Sequence, residues 1–471
     1  MATVGILTFS DGRDFVARET DAMNRGYQDR LRHRLEQDGH QVVAGEEIIC
    51  TNEQAVREAK RLAATGCDGT IFNFAVWSFP HLPALASRFA PGPLLLFSNV
   101  NPEYPGLVGM LASAGALSQA GTSYARAYGE IEDDAVYATV RAFVRAASAV
   151  ARLRGQTFGL VGGRPMGMYT TTADPAQWLK TFGVDVEHID QGEIVRLAAE
   201  VPDSVVEPAF MWLEEHVGHI HYDGKQLTPD KLKTQIRATE AMKRLIREYR
   251  LDFSGIKGQP ELTNNFCTMD VTEAFLNDPY DWDGPHEPHI CATEADMDAA
   301  LTMQILKHLA GTPALFADVR HYHADLGMCD LCNSGEHATY FAGRSFDPKD
   351  NLPQVHFYPE GFYFPAGGAS VHHLAYPGDA TFARLTRQDG RYRLAILRGE
   401  FVRYDMDKND ALMKQTTLEW PHAFARFTCA AEEFIGSYAS NHIHAVYGDW
   451  AAELRLVAGL LGVDVTVYGE A

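Results

Sequence analysis

Residues 1–15 read MATVGILTFSDGRDF, and residues 157–168 read TFGLVGGRPMGM. In both, an apolar run of strand length breaks into a turn: Val4–Thr8 ahead of Asp11-Gly12, and Phe158–Val161 ahead of Gly162-Gly163. Such a run, bounded by turn residues and followed by amphipathic segments, is a buried strand of a parallel sheet covered by helices. Outward from the first stretch, Asp21–Asp38 is expected to be helical, as is Asn52–Ala64 after an Asn cap, and Gly69–Asn73 and Pro93–Asn99 are expected strands. Outward from the second, a helix near Asp174–Phe182 leads to a strand at Val184–Ile189. The fold class is therefore α/β, with two doubly wound parallel-sheet (Rossmann-like) domains at residues 1–152 and 153–312. Within the second, Thr228–Tyr249 has helical periodicity with its charges on a solvated surface.

Past residue 312 the texture changes. Short β-like runs at Gln354–Tyr358, Thr381–Leu385, Tyr392–Leu397 and Glu400–Arg403 are separated by Gly- and Pro-containing turns, Asp389-Gly390 among them. They predict a mostly antiparallel β-rich C-terminal domain at residues 313–471, of small-barrel type, closed by a helix at Asp449–Leu461 and a strand at Val463–Tyr468.

With 471 residues, 46% hydrophobic and 22% charged, the chain buries more than one core. Sixty-two acidic against 41 basic residues give a net charge of -21, which repels nucleic acid and anionic membrane surfaces. No apolar run reaches spanning length, and the first residues lack a basic region and a long apolar core. A cytoplasmic chain with no nucleic-acid or membrane partner is expected. Seven cysteines, an odd number, are expected to be reduced thiols, and Cys329-x-x-Cys332 lacks the second pair of a zinc knuckle. Neither G-x-G-x-x-G nor GK[ST] occurs, which argues against a nicotinamide oxidoreductase.

Three separated residues carry the chemistry: Glu294 in ATEAD, Asp318 in FADVR and His442 in SNH. Asp318 follows the apolar run Ala314–Ala317, so it is expected at the carboxyl end of a buried strand, where α/β sheets place ligands. Glu294 precedes an amphipathic helix. There Thr293 reads as the N-cap answered by Asp296, with Glu294 a first-turn acid. Two carboxylates and an imidazole make a mixed oxygen and nitrogen donor set that suits Mn²⁺, or Mg²⁺ at a stretch, whereas zinc more often recruits Cys or several His.

The order of these motifs resembles the L-fucose isomerase family of aldose–ketose isomerases. The resemblance runs over most of the chain. Its marks are Asp11-Gly12-Arg13, Trp77, Gly162-Gly163 with Met166-Gly167, Phe275-Leu276-Asn277, Asp281-Trp282-Asp283-Gly284 with Glu287-Pro288, and Asn333-Ser334-Gly335. ATE and FADVR, their acids 24 positions apart, and the late NH complete the set.

The resemblance implies Glu294, Asp318 and His442 as ligands of Mn²⁺, or of another divalent cation such as Mg²⁺ or Co²⁺. It implies Glu294 and Asp318 as the acid/base pair of an ene-diol reaction on a monosaccharide, and a homo-oligomer, a hexamer or a related assembly. Arg13 and Asn441 are expected at substrate hydroxyls. Trp77 stacks on the sugar or packs in the core. Arg164, Lys257 and His372 depart from the family pattern at the sugar's far end and add positive or potentially positive charge, while Gln259, expected at the sugar too, is kept. The substrate thus stays open between L-fucose or D-arabinose-type sugars and a sulfonated hexose, since sulfoquinovose isomerases resemble the same family. A two-lobed sugar-binding protein is the non-enzymatic alternative.

Overall fold

A computed structural model describes residues 1–334 and 337–470. These form two compact units, one of Met1–Leu153 with Ala452–Gly462, the other of Arg154–Ala451 with the residues from Val463 onward.

In the first unit, Thr3–Phe9, Gln41–Ala44, Gly69–Phe74, Leu94–Ser98 and Ala125–Tyr128 form one all-parallel sheet, with the first strand between the second and third. Alternate residues supply two apolar layers. Ile6, Ile71, Leu95 and Phe97 face one side, and Leu7, Phe72, Phe74 and Leu96 face the other, as the period of two requires when both faces are covered. Leu456 and Leu460 of the helix Ala451–Leu461 pack on the first layer.

Two boundaries differ from expectation. The first helix spans Asp14–Gln37 and so begins well before Asp21. Its early inward positions are polar: buried Asn24 donates to Ser10, and Gln28 accepts from Thr8, so no apolar period marks the start. The next helix, Asn52–Ala63, is capped by Thr51 and not by Asn52, in a reciprocal box with Gln54.

The second unit holds a parallel sheet in the order Cys291–Thr293, Phe253–Ile256, Thr157–Val161, Asp185–Ile189. It also holds a closed antiparallel ring of six strands. Around the ring run Gly378–Gln388, His442–Tyr447, Leu315–His323, Met328–Cys332, His422–Phe427 and Arg391–Phe401, and the last pairs back to the first. Asp464–Val467 adds in parallel to Arg391–Phe401. At the Asp389-Gly390 hairpin both residues have positive φ, 50° and 74°, as a tight two-residue turn requires.

The separate strands expected at Tyr392–Leu397 and Glu400–Arg403 are one strand up to Phe401. Gly399 interrupts the apolar pattern without interrupting the strand: a Cβ there would meet the Arg426 carbonyl. All seven cysteines are free thiols, and Cys329 and Cys332 are buried within one strand. Among the described residues no helix is long and apolar enough to cross a membrane.

Candidate active site on the outer face of the barrel

Strand alternation decides which side chains meet. Leu315 and Ala317 point into the ring with Ile443 and Ala445 and help fill its core. Phe316 and Asp318 must therefore share the outer face with His442 and His444; the Phe316 ring lies 4.6 Å from that of His442 and 5.0 Å from that of His444. Register completes the placement. Asp318 stands directly opposite His442 on the neighbouring antiparallel strand, where facing side chains come into contact. Asp318 is not at a strand end, as the apolar run implied, because pairing with Met328–Cys332 carries its strand on to His323 past an irregularity between Val319 and His321.

Glu294 arrives from the parallel sheet. Its strand ends at Thr293, and Thr293 to Asp296 forms a turn closed by Asp296 N–H donating to the Thr293 carbonyl at 3.1 Å. Both central residues, Glu294 and Ala295, are left-handed, with φ of 56° and 47°. For non-glycine residues this costs roughly 1–2 kcal/mol each. Glu294 is thus outside the following helix, Met297–Ala310, and is not a first-turn acid. The N-cap is Asp296, which accepts from Ala299 N–H at 3.0 Å, and not Thr293.

The three expected residues converge. His442 Nε2 is 2.9 Å from Glu294 Oε2 and 3.5 Å from Asp318 Oδ1. The imidazole is fully buried, whereas the Glu294 and Asp318 side chains keep 12% and 27% exposure, enough to meet a ligand. Asp318 is steadied from both sides, by Asn333 Nδ2 donating to Oδ2 at 2.8 Å and Asn441 Nδ2 donating to Oδ1 at 3.0 Å. Asn441 thus orients the carboxylate, a contact the sequence reading did not assign to it. Gly335 of the same motif lies outside the described residues.

Asp296, which sequence reasoning left as the acid answering a Thr293 cap, joins this cluster. Its Oδ2 lies 2.5 Å from His442 Nδ1 and 2.8 Å from the buried Arg384 guanidinium. Burial would raise the Asp296 pKa, but attraction to Arg384 and the His442 hydrogen bond hold it below the usual carboxylate range. Burial would likewise depress His442, yet its hydrogen bond to Asp296 and the adjoining Glu294 carboxylate carry its pKa up to about 10. With Nδ1–H given to Asp296, Nε2 is the nitrogen turned toward Glu294 and Asp318.

No three His, Cys, Asp or Glu side chains among the described residues are spread as a ready-made ligand shell. In this cluster Nε2 and Oε2 lie directly against each other. Both are buried, and despite the short separation neither makes a hydrogen bond of acceptable geometry. Two orphaned buried atoms beside a partly exposed carboxylate are the oxygen and nitrogen donor types that a divalent cation of the Mn²⁺ or Mg²⁺ kind takes, which makes Glu294, Asp318 and His442 the candidate ligands once their side chains part to admit one.

The other expected site residues are dispersed. In the first unit, Arg13 pairs with Asp11 at 2.5 Å, and Trp77 is half-buried in the loop after Gly69–Phe74. Lys257 is neutralised by Glu261 at 2.7 Å and, with Gly162, Gly163 and Asn265, lines a cavity of about 610 Å³ that the three converging residues do not line. Gln259 is half-buried two residues further on. His372 donates to the Trp420 carbonyl at 3.0 Å and borders another cavity with His356, Arg403 and Asp410; burial pushes its pKa down to about 4. It carries no charge at neutral pH. Arg164 lies over the Tyr169 ring, 4.6 Å from its centroid.

Comparison with known proteins bears on the same three regions. The L-fucose isomerase first N-terminal domain matches residues 1–155, the second N-terminal domain residues 248–311 and the C-terminal domain residues 331–469. The chain belongs to the L-fucose isomerase family. Curated L-fucose isomerases of Escherichia coli O139:H28 (strain E24377A / ETEC) and O9:H4 (strain HS) are 25% and 26% identical to it over 436 residues, covering 77% of this chain and 72% of theirs. A solved ABC sugar transporter subunit from Rhodobacter sphaeroides 2.4.1 aligns at 14% identity over 66% of this chain and 93% of its own, with a TM-score of 0.17 that carries no argument.

Proposed function

We propose that this protein is a metal-dependent aldose–ketose isomerase acting through an ene-diol intermediate on L-fucose or D-arabinose-type sugars. The carrying observation is that Glu294, Asp318 and His442, 148 residues apart at the extremes, meet at one partly exposed point. Family membership supports the same reaction class.

Isomerisation moves a proton between adjacent carbons while a carbonyl exchanges places with a hydroxyl. A bound Mn²⁺, or Mg²⁺ or Co²⁺, would supply Lewis-acid stabilisation of the negative charge that develops on oxygen. The chain's own residues supply the proton transfers. One of Glu294 and Asp318 is ionised and takes the proton from carbon, while the other, protonated, returns one to its neighbour. Asn333 and Asn441 fix the Asp318 carboxylate, so little orientation is lost during the transfer. Asp296 sets the His442 tautomer.

A sulfonated hexose is the alternative substrate. Lys257 gives it little support, because Glu261 already neutralises that ammonium. The protein is further proposed to work as a cytoplasmic homo-oligomer, a hexamer or a related assembly.

The test is a Mn²⁺-supplemented screen of L-fucose, D-arabinose and sulfoquinovose, read by NMR for ketose, with Glu294→Gln alongside. Ketose formation that the variant abolishes is expected. Absence of turnover on every sugar with metal bound would sink the enzymatic reading and return a sugar-binding role. Full activity in the variant would remove Glu294 from proton transfer.

A further inference from the structure

Next to the carboxylate–imidazole cluster lies a cavity of about 560 Å³, whose polar lining includes Arg164, Thr170, Asp298, Arg384, Thr386 and Arg387. Its charges do not cancel. Arg384 is paired with Asp296 and Arg387 with Asp298, each at 2.8 Å. Asp298 also accepts from the Tyr392 hydroxyl at 3.0 Å, so its charge is fully engaged. Among the described residues Arg164 has the Tyr169 ring and no carboxylate as a partner, which leaves one cation in excess.

A second observation is independent of that charge count. Arg384 is 1% exposed and fills four contacts, to Asp296 through both oxygens, to His444 and to the Thr170 carbonyl, yet its buried Nε–H has no acceptor. A buried donor on a charged group left unmet is costly, and it leaves the guanidinium charge only partly answered by the protein around it.

We propose that this cavity binds a tetrahedral oxyanion: a phosphate, sulfate or sulfonate group. Guanidinium groups match the oxygens of such an anion in number and direction, and the Thr170 side chain brings a hydroxyl donor. The anion is either carried by a substrate or free in solution. In both cases its grip on Arg384 reaches His442 through one residue, since Arg384 holds Asp296 and Asp296 holds the imidazole.

Titration calorimetry on the full chain with inorganic phosphate, sulfate and a chloride control tests this directly and needs no isomerase activity. Expected is saturable 1:1 uptake of phosphate or sulfate with a Kd of about 1 mM, weakened about tenfold in Arg164→Ala and largely kept in Arg164→Lys. Arg164 is exposed, so both variants fold, which circular dichroism checks. Absence of saturation up to about 100 mM, equal uptake by Arg164→Ala, or heat that chloride reproduces would overturn the proposal. The two sources separate in kinetics: phosphate that raises KM for a neutral sugar alone marks a seat for a substrate's anionic group, and phosphate that alters kcat marks a free effector.

Discussion

Replacing Asp296 by Asn isolates the charge at the centre of the site. Asn is as good an N-cap as Asp, so the cap over Ala299 survives and only the negative charge goes. That charge is the counterion of Arg384, whose guanidinium is 1% exposed, and the acceptor of His442 Nδ1–H. Removing one partner of a buried ion pair strands the other and costs about 3–5 kcal/mol. In a unit of this size each kcal/mol moves the melting point by about 1.5 °C, so a loss of about 5–8 °C is expected in the calorimetric transition of the second unit. Metal affinity should fall about 10- to 100-fold, as when a histidine ligand loses its orienting carboxylate. Arg384→Met added to Asp296→Asn removes the stranded charge and should recover most of the stability but not the affinity. A shift below about 2 °C in the single variant would refute the claim that this pair anchors the site.

Metal-free protein should lose stability as pH rises from 6.5 to about 10. His442 has its folded pKa raised above the ordinary 6.5, and its contribution is complete below that value and gone above the folded one; a flat melting profile across this range in chelator would contradict it. Gly255→Ala should cut turnover about 100-fold with a smaller effect on folding, because the new Cβ lies 3.1 Å from Ala295 Cα and pushes the turn that aims Glu294; unchanged kcat would show that the turn yields freely. Asn441→Ala leaves Asp318 with the Asn333 donor alone and should lower kcat about tenfold without altering the fold. A change confined to KM would assign Asn441 to sugar binding instead.

The parallel sheets were legible because their central strands are apolar on both faces, and the barrel because turn residues punctuate short runs. Glu294, Asp318 and His442 could be found as residue types in order, yet their convergence depends on register, which sequence patterns do not display. Asp296 was hidden by its double duty, since a cap explains an acid before an apolar helix without remainder. Arg384 carried a usable signal: a lone arginine inside the strand pattern TFARL must have a buried counterion. The left-handed turn at Glu294 and Ala295 was illegible, for neither residue favours that conformation, and only surrounding structure imposes it.

Pairing of Asp318 with His442 across two strands has a further consequence. Sliding either strand by a single residue would leave a barrel still hydrogen-bonded, yet every side chain on it would exchange inside for outside. An aliphatic residue would then stand where the acid or the imidazole is needed, and a polar one would enter the hydrocarbon centre. The oily residues that fill the ring therefore also keep Asp318 and His442 in step, so a core substitution far from the proposed site is expected to silence the protein without unfolding it.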